Sequence, residues 1–462
     1  MRKTLPISAR FFGLLGLLIV LSSSVAFAQN LATTLEDRNI DRYKQQAERM
    51  AQGDVDILWV GDSITHFWEG NGKAVWDKYY SDRKAMNFAI SGDRTGHVLW
   101  RMANSPMDKI NPKMTIVMIG TNNIGHKKGN GEMHSTPAET VEGIQTIVDQ
   151  LKEKYPTTKI LLLEVFPRGN KPDDPLRLAV NDINAGLEKI YADGAVENVK
   201  LYSINDLFLT KDGILPPEIM PDFLHPNAAG YEIWAKAVEP MIADVLGDNP
   251  VDCQPVPRDK EAWWNERFNN NNEVLKNGDV DILMVGDSIT HGWDGAGKDV
   301  WQKYYGDKKA INLGFGGDQT QHVLWRLEHY DFSKVSPKAA VLLIGVNNTW
   351  GRDRAPQNVA LGQRKIVQKL RALFPNMKIF VLRVFPCTNR DDQQATIDAI
   401  NEFTPFYMRD IPNVEVLDIG KVFLNKDGVL TKEIMPDLLH PNAVGYESWG
   451  AALYLPLEEA TK

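Results

Sequence analysis

The chain has 462 residues, of which 43% are hydrophobic and 24% are charged. This composition is ordinary for a folded globular protein and excludes a disordered or collagen-like chain. The net charge is −8 at neutral pH and no stripe of clustered Lys and Arg is present. Because binding to a phosphate backbone depends on such clusters, nucleic acid is not an expected partner.

The first 28 residues are typical of a secretory signal peptide. Arg2, Lys3 and Arg10 surround the start of an apolar run over residues 11–25, and Ala26-Phe27-Ala28 supplies a small-x-small cleavage site. The run is shorter than the roughly 18–20 residues that span a bilayer, which favours cleavage over a membrane anchor. We therefore expect cleavage near Ala28, export to the periplasm or the cell exterior, and no stable membrane insertion.

The heptapeptide VGDSITH occurs twice, at residues 60–66 and 285–291. Three further motifs follow each copy in the same order: SGD, GTNN and DFLHPN after the first, and GGD, GVNN and DLLHPN after the second. Such an internal repeat predicts two domains, each long enough to build its own core. We place the first domain at residues 29–247, a linker with three prolines at 248–257, and the second domain at 258–462.

Each repeat alternates short apolar runs with amphipathic stretches. The apolar runs lie at residues 55–60, 115–119 and 160–165, and again at 280–285, 339–344 and 379–384. Near-continuous apolar strands indicate a parallel sheet buried on both faces, and residues 140–154, 228–246 and 358–373 predict helices that cover it. The sequence therefore predicts two tandem α/β domains, each a doubly wound three-layer α/β/α sandwich with its motifs at the carboxyl ends of the strands.

The repeated motifs contain the residue types that a serine hydrolase needs. A serine after Gly-Asp at a strand-to-helix turn is by itself most often a helix cap, and its hydroxyl is a weak nucleophile without a base. The Asp-x-x-His motif supplies a candidate base with a carboxylate to orient it. The candidate catalytic residues are therefore Ser63, Asp222 and His225 in the first repeat and Ser288, Asp437 and His440 in the second.

A tetrahedral intermediate also needs hydrogen-bond donors for its oxyanion. The backbone N–H groups of the serine and of the motif glycine and the side-chain amide of the motif asparagine are candidates, namely those of Ser63, Gly92, Asn122, Ser288, Gly317 and Asn347. Taken singly, the glycine and the asparagine are more typical of turns. Their fixed order at strand ends, twice in one chain, favours an oxyanion hole.

The sequence offers no repeated ligand set for a metal, and the proposed chemistry needs no cofactor. Cys253 and Cys387 are the two cysteines, and the sequence leaves open whether they pair. Trp68 and Trp293 follow the nucleophile motifs, where burial in the core is a better expectation than stacking on a sugar.

Both repeats resemble the SGNH (GDSL-type) hydrolases over nearly their whole length. Within that family they are similar to the catalytic subunits of platelet-activating-factor acetylhydrolase and their bacterial relatives, through HVLWR after each glycine motif, the Gly-x-Asn-Asn motifs and FPRGNKP at residues 166–172. The second repeat departs at the last motif, where Cys387 replaces Arg168, and has Val346 in place of Thr121.

The resemblance implies a flavodoxin-like fold and ester hydrolysis by a Ser–His–Asp triad. It also implies a small acyl pocket, formed by Ile64, Thr121 and Leu224 in the first repeat and by Ile289, Val346 and Leu439 in the second. Bulky aliphatic side chains there predict a preference for acetyl over long acyl groups.

We therefore expect an exported tandem esterase acting on small esters, in small molecules or polysaccharides, with the two repeats packed as an intramolecular pseudo-dimer. The alternatives are a lipid or lysophospholipid esterase, a thioesterase, or a chain in which one repeat only binds ligand. The first repeat has extra residues within 126–135, which predict a loop at the rim of its site. The two sites can therefore differ in substrate.

Overall fold

The computed structural model describes residues 30–350, 355–390 and 392–462. The predicted signal peptide lies outside these residues. Within them, no helix is long and apolar enough to cross a bilayer.

The first repeat folds around a parallel sheet of five strands in the order β2-β1-β3-β4-β5. The strands are β1 (Ile57–Gly61), β2 (Ala85–Ala89), β3 (Met114–Met118), β4 (Lys159–Leu163) and β5 (Val199–Tyr202). The helices are α1 (Asp41–Ala51), α2 (Ser63–His66), α3 (Lys73–Tyr79), α4 (Thr95–Asn104), α5 (Thr121–Gly125), α6 (Pro137–Lys154), α7 (Pro175–Tyr191) and α8 (Ala228–Leu246).

The second repeat builds a parallel sheet with the equivalent order β7-β6-β8-β9-β10. Its strands are β6 (Ile282–Gly286), β7 (Ala310–Gly314), β8 (Ala339–Leu343), β9 (Lys378–Leu382) and β10 (Val414–Leu417). Its helices are α9 (Ala262–Asn277), α10 (Ser288–His291), α11 (Lys298–Tyr305), α12 (Thr320–His329), α13 (Pro356–Leu373), α14 (Gln393–Met408) and α15 (Ala443–Thr461).

Both faces of each sheet are covered, as the apolar strand patterns predict. Along β1, Leu58 and Val60 belong to a core that includes residues of α4, α6 and α7. Ile57 and Trp59 face the opposite way, into a core with α3 and α8. The two α/β/α sandwiches are therefore confirmed, and the six strands expected from sequence are all present, with no end shifted by more than two residues. The strands β2, β5, β7 and β10 were not predicted from the sequence.

The two repeats contact each other through different faces. Asp244 of α8 accepts hydrogen bonds from Arg364, Lys365 and Gln368 of α13, at 2.7–2.9 Å. Arg364 is almost fully buried and also pairs with Asp410, 2.5 Å away, just after α14. The faces that meet are not equivalent, because α13 and α14 correspond in chain order to α6 and α7 of the first repeat and not to α8.

Apolar and further ionic contacts accompany this cluster. Phe406 of α14 packs against the core of the first repeat, and Ala243 of α8 belongs to the core of the second. Lys200 of β5 lies 2.7 Å from Asp410, and Lys236 of α8 lies 2.5 Å from Glu402 of α14. A cleft of about 400 Å³ lies beside this contact and is lined by residues of both repeats.

Part of the segment that we interpret as a linker is buried. Thr320 donates to the main-chain oxygen of Asp252 at 2.7 Å, and Asn348 donates to the Asp252 carboxylate at 2.6 Å. In the first repeat Thr95 donates to the main-chain oxygen of Ala32 in the same way, at 2.7 Å. Residues 248–257 therefore include chain that packs on the second repeat, as residues near 32 pack on the first.

Candidate active site

Ser63 begins helix α2 directly after strand β1. Asp62 is the N-cap residue, and its carboxylate accepts the backbone N–H of Ile64 at 3.0 Å. A Cβ on Gly61 would lie 2.2 Å from Thr65 Oγ1 and 2.6 Å from the main-chain oxygen of Met118, so only glycine fits this turn. The second repeat repeats the arrangement, with Asp287 accepting from Ile289 at 3.0 Å.

The capping carboxyl groups are fully buried. Burial raises the pKa of Asp62 to about 7 and that of Asp287 to about 7, against the opposing effect of the backbone N–H that each accepts. These aspartates are not among the candidate site residues predicted from the sequence. They hold the turn that carries each serine, and they do so from within the core.

The structure brings the predicted Ser, His and Asp together in both repeats. Ser63 Oγ lies 2.8 Å from His225 Nε2, and His225 Nδ1 lies 2.6 Å from Asp222 Oδ2. Because a carboxylate only accepts, Nδ1 carries the proton and Nε2 is free to accept from the serine hydroxyl.

The second repeat has nearly the same distances. Ser288 Oγ lies 2.8 Å from His440 Nε2, and His440 Nδ1 lies 2.7 Å from Asp437 Oδ2. The Ser–His and His–Asp distances of the two repeats therefore agree to within about 0.1 Å.

The orienting carboxylates are fixed by their own loops. Asp222 Oδ1 accepts the backbone N–H groups of Leu224 at 3.1 Å and His225 at 2.7 Å. Partial burial acts to raise the pKa of Asp222, but these bonds and the one from the imidazole outweigh it and hold the pKa below its usual value. The pKa of Asp437 is lowered by the same balance. Both carboxylates are therefore charged at neutral pH and can stabilise an imidazolium.

The motif asparagine also binds the loop of the motif glycine in each repeat. Gly92 has a φ of +79°, and Asn122 Nδ2 donates to the main-chain oxygen of the next residue, Asp93, at 3.0 Å. Asn347 donates to the main-chain oxygen of Asp318 at 2.9 Å. Because an amide carries two N–H donors, each asparagine keeps one for an incoming oxygen.

A direct contact also joins the helix of the serine to the glycine loop. The hydroxyl of Ser91 and its backbone N–H both lie against His66 Nδ1, at 2.8 and 3.2 Å. In the second repeat the backbone N–H of Gly316 lies 3.3 Å from His291 Nδ1. The last residue of the short helix that starts at the serine therefore contacts the residue before the motif glycine in both repeats.

A buried ionic network supports each glycine loop. Asp93 accepts from Arg101 of α4 and from Arg38, and neither Asp93 nor Arg101 is exposed. In the second repeat Arg326, Arg258 and the indole of Trp264 surround Asp318 in the same manner. These buried ion pairs were not predicted from the sequence.

The residues predicted for the acyl pocket lie within or beside the apolar core. Ile64, Thr121, Ile289, Val346 and Leu439 are buried, and Leu224 is partly buried. Thr121 additionally accepts from Arg168, whose Nη1 lies 3.1 Å from the threonine main-chain oxygen. Their position is compatible with a short acyl group, and their part in binding it stays a prediction.

The two sites differ in charge at the position that Arg168 occupies in the first repeat. In the second repeat Cys387 is buried, and its thiol donates to Asn389 at 3.2 Å and Gln393 at 3.3 Å. Both cysteines are free thiols, and burial raises the pKa of Cys253 and of Cys387. The first site thus has a cation at a position where the second has an uncharged thiol.

The residues that the structure describes contain no group of three or more His, Cys, Asp or Glu side chains placed to hold a metal ion. Trp68 and Trp293, expected in the core, are fully buried there. The loop at residues 126–135 begins directly after α5, which contains Asn122, and His126 lies 2.9 Å from Arg94.

The family model of the GDSL-like lipase/acylhydrolase family matches residues 59–233 and 284–447, which is more than half of the chain. The chain belongs to this family and is an ester-hydrolysing enzyme.

Curated relatives agree with the family assignment. The platelet-activating factor acetylhydrolase IB subunit alpha2 of Rattus norvegicus is 34% identical over 219 residues, 46% of this chain and 89% of the relative. The alpha1 subunit of Homo sapiens is 29% identical over 194 residues, 42% of this chain and 78% of the relative.

Among solved structures, the acetylxylan esterase Axe2 of Geobacillus stearothermophilus is 18% identical, with a TM-score of 0.32 over 40% of this chain and 94% of that one.

Proposed function

We propose that each repeat is a complete serine esterase site that hydrolyses small esters, above all acetyl esters. The observation that carries the proposal is the Ser–His–Asp chain of hydrogen bonds, which recurs in both repeats with nearly the same distances. An asparagine amide and a glycine loop lie next to this triad and can supply hydrogen-bond donors to an oxyanion.

In the proposed mechanism, Ser63 attacks the ester carbonyl while His225 Nε2 takes the hydroxyl proton. Asp222 keeps the imidazole in the required tautomer and stabilises its cation. His225 then protonates the departing alkoxide, and water hydrolyses the acyl-enzyme with the same imidazole as base. The second repeat performs the same steps with Ser288, His440 and Asp437.

The acetyl preference has two supports. Four of the six residues proposed for the acyl pockets are bulky aliphatic side chains in or against the core, namely Ile64, Leu224, Ile289 and Leu439. The curated relatives are named as acetylhydrolases. Profiling with nitrophenyl esters of increasing acyl length tests this point, and highest activity on chains of eight carbons or more would contradict it.

The identity of the alcohol is a separate proposal. The signal-like residues 1–28 support export of the enzyme, where acetylated polysaccharides and other environmental esters are available substrates. The names of the relatives favour a second candidate, an acetylated phospholipid. Acetate release from acetylated xylan, acetylated pectin and an alkyl-acetyl-phosphocholine distinguishes the two.

We also propose that the repeats act as a fixed pair within one chain. The buried Arg364 and the apolar contact of Phe406 support this arrangement. Small-angle scattering that fits two independently moving bodies would contradict it.

Substitution of the serines tests the central proposal. Ser63→Ala and Ser288→Ala should each leave part of the activity on ethyl acetate, and the double variant should have none. A fluorophosphonate probe should add two adducts to the parent chain, one to each single variant and none to the double. Ser333→Ala, at an exposed loop serine, is the matched control and should change nothing. Full activity of the double variant would refute the scheme.

A further inference from the structure

The two sites differ in what covers the histidine of the triad. Phe67 directly follows α2, and its ring lies 5.1 Å from that of His225 and 5.8 Å from that of His66. Gly292 stands at the corresponding position of the second repeat. The side chain of His440 is 39% exposed, whereas that of His225 is 21% exposed. The second site is therefore more open beside the imidazole that would protonate the leaving alcohol.

Among the described residues at this edge, an exposed tryptophan is found on the second repeat and not on the first. Arg38 and Arg258 make equivalent contacts with the glycine loops, and Arg42 and Arg267 make equivalent contacts with the ends of β2 and β7. Between these pairs the first repeat has residues 39–41 and the second has residues 259–266. The five additional residues of the second repeat include Trp263, which is 40% exposed.

Trp263 is held in place next to the site. Its ring stacks on that of His291, the last residue of α10, with a centroid distance of 6.2 Å and an angle of 15°. Its indole N–H donates to Glu261 at 3.0 Å, and Glu261 is bound by Arg258. The indole also passes 3.7 Å from the point where a Cβ of Gly316 would lie, directly before the oxyanion glycine. In the first repeat this position is Ser91, which is bonded to His66.

The groups around the indole favour a neutral ligand with hydroxyls. The Arg258 guanidinium lies 5.4 Å from the ring centroid, so a second cation such as a choline group would meet a like charge there. His291 Nδ1 accepts the backbone N–H of Gly316, which leaves Nε2–H as a donor. An apolar ring surface beside a donor and a carboxylate matches a sugar ring, which has both C–H faces and hydroxyls.

We propose that the second repeat takes acetylated pyranosides, with the sugar ring placed against Trp263 on the side left open by Gly292. The inference rests on the proposed esterase function and adds a substrate class to one of its two sites. In the first repeat, Phe67 covers the corresponding side, and that site takes smaller alcohols.

Ester hydrolysis by variants that keep only the second serine tests the proposal. In the Ser63→Ala background, kcat/KM is measured on xylose tetraacetate, glucose pentaacetate and ethyl acetate. Trp263→Ala should lower kcat/KM on the sugar acetates at least fivefold more than on ethyl acetate, mainly through KM. Trp263→Phe should restore most of the difference because it keeps an aromatic ring. Tyr454→Ala, at a similarly exposed aromatic on α15, is the control and should affect no substrate.

Two results would overturn the inference: an equal loss on all three esters after Trp263→Ala, or a selective loss on an alkyl-acetyl-phosphocholine instead of the sugars. A binding measurement separates this failure from failure of the proposed function. Xylotriose binding to the Ser63→Ala/Ser288→Ala chain is measured by calorimetry, where catalysis plays no part. Binding that is lost on Trp263→Ala supports the sugar site even if ester hydrolysis were absent, and no binding, or binding that persists, contradicts it.

Discussion

Arg101 lies against Asp93 with 2.8 Å between Nη2 and Oδ2, and neither side chain is accessible to solvent. The main-chain oxygen of the same aspartate accepts the side-chain amide of Asn122. The buried ion pair and the proposed oxyanion donor therefore share one residue. Arg326, Asp318 and Asn347 repeat this relationship in the second domain.

Arg101→Leu should destabilise the first repeat and weaken its catalysis. The change leaves Asp93 buried with Arg38 as its remaining charged partner, and removal of one partner from a buried pair costs about 3–5 kcal/mol. The unfolding midpoint in urea and kcat on ethyl acetate in the Ser288→Ala background measure the two effects. Lys73→Leu, which removes an exposed ion pair with Asp77, is the control and should cost about 0–1 kcal/mol. An unchanged midpoint for Arg101→Leu would show that the pair does not stabilise the fold.

Stability should depend on pH through Asp62 and Asp287. Burial raises their folded-state pKa to about 7 from 3.8, so the native state binds more protons than the unfolded state between these values. Their contribution to stability is thus fully present below pH 3.8 and is lost as pH rises through about 7. Asp62→Asn with Asp287→Asn keeps an acceptor but removes the titration.

The free energy of unfolding of this double variant, relative to the parent chain, should therefore rise from pH 5 to pH 8. The expected change is on the order of 1–3 kcal/mol per site. Urea denaturation at each pH measures it, with the exposed Asp77→Asn as control. A difference that stays constant across this range would refute the prediction.

Asp222→Asn should impair the first site without unfolding it. The amide can donate to Nδ1 and so favours the imidazole tautomer with its proton on Nε2, which cannot accept from Ser63. By analogy with triads on other folds, kcat should fall by roughly 10³–10⁴-fold. The measurement uses the Ser288→Ala background, and Asp437→Asn in the Ser63→Ala background is the matched test. If kcat fell less than tenfold in both, the carboxylate would not orient the base.

Arg364→Ala should weaken the contact between the repeats. It removes the partner that Asp244 and Asp410 share, and it leaves two carboxylates close together at the contact. We expect a loss of about 2–4 kcal/mol and a separation of the unfolding of the two repeats in calorimetry. Arg383→Ala removes an exposed pair with Asp418 and should have little effect. A single unshifted transition for Arg364→Ala would contradict a coupled pair.

Much of the fold followed from patterns within short stretches of sequence. The strands that end at Gly61 and Gly286 are apolar throughout because both sheet faces are covered, and the repeat supplied each motif twice. The edge strands were not predicted because residues such as Asn87 and Lys200 interrupt their apolar pattern.

The networks around each site could not be predicted because their members are distant in sequence. Arg38 meets Asp93 across more than 50 residues, and Trp264 meets Asp318 at a similar separation. Trp263 was not predicted for another reason: it lies outside the shared motifs, in a segment that is longer in the second repeat. The sequence did contain a signal for this segment, because the chain before β6 is longer than the equivalent chain before β1.

The contact between α8 and α13 joins two unlike faces of related domains. In separate subunits a head-to-tail contact of this kind leaves one face of each copy unmatched, so it extends copy by copy or closes into a ring. Here α6 has Gln145 and Thr146 where α13 has Arg364 and Lys365, so the first repeat lacks the cations that bind Asp244. The ion pairs of Asp244 can therefore form with α13 of the second repeat and not with α6 of the first. The chain's two sites have a stoichiometry set by one polypeptide, which dilution would not alter.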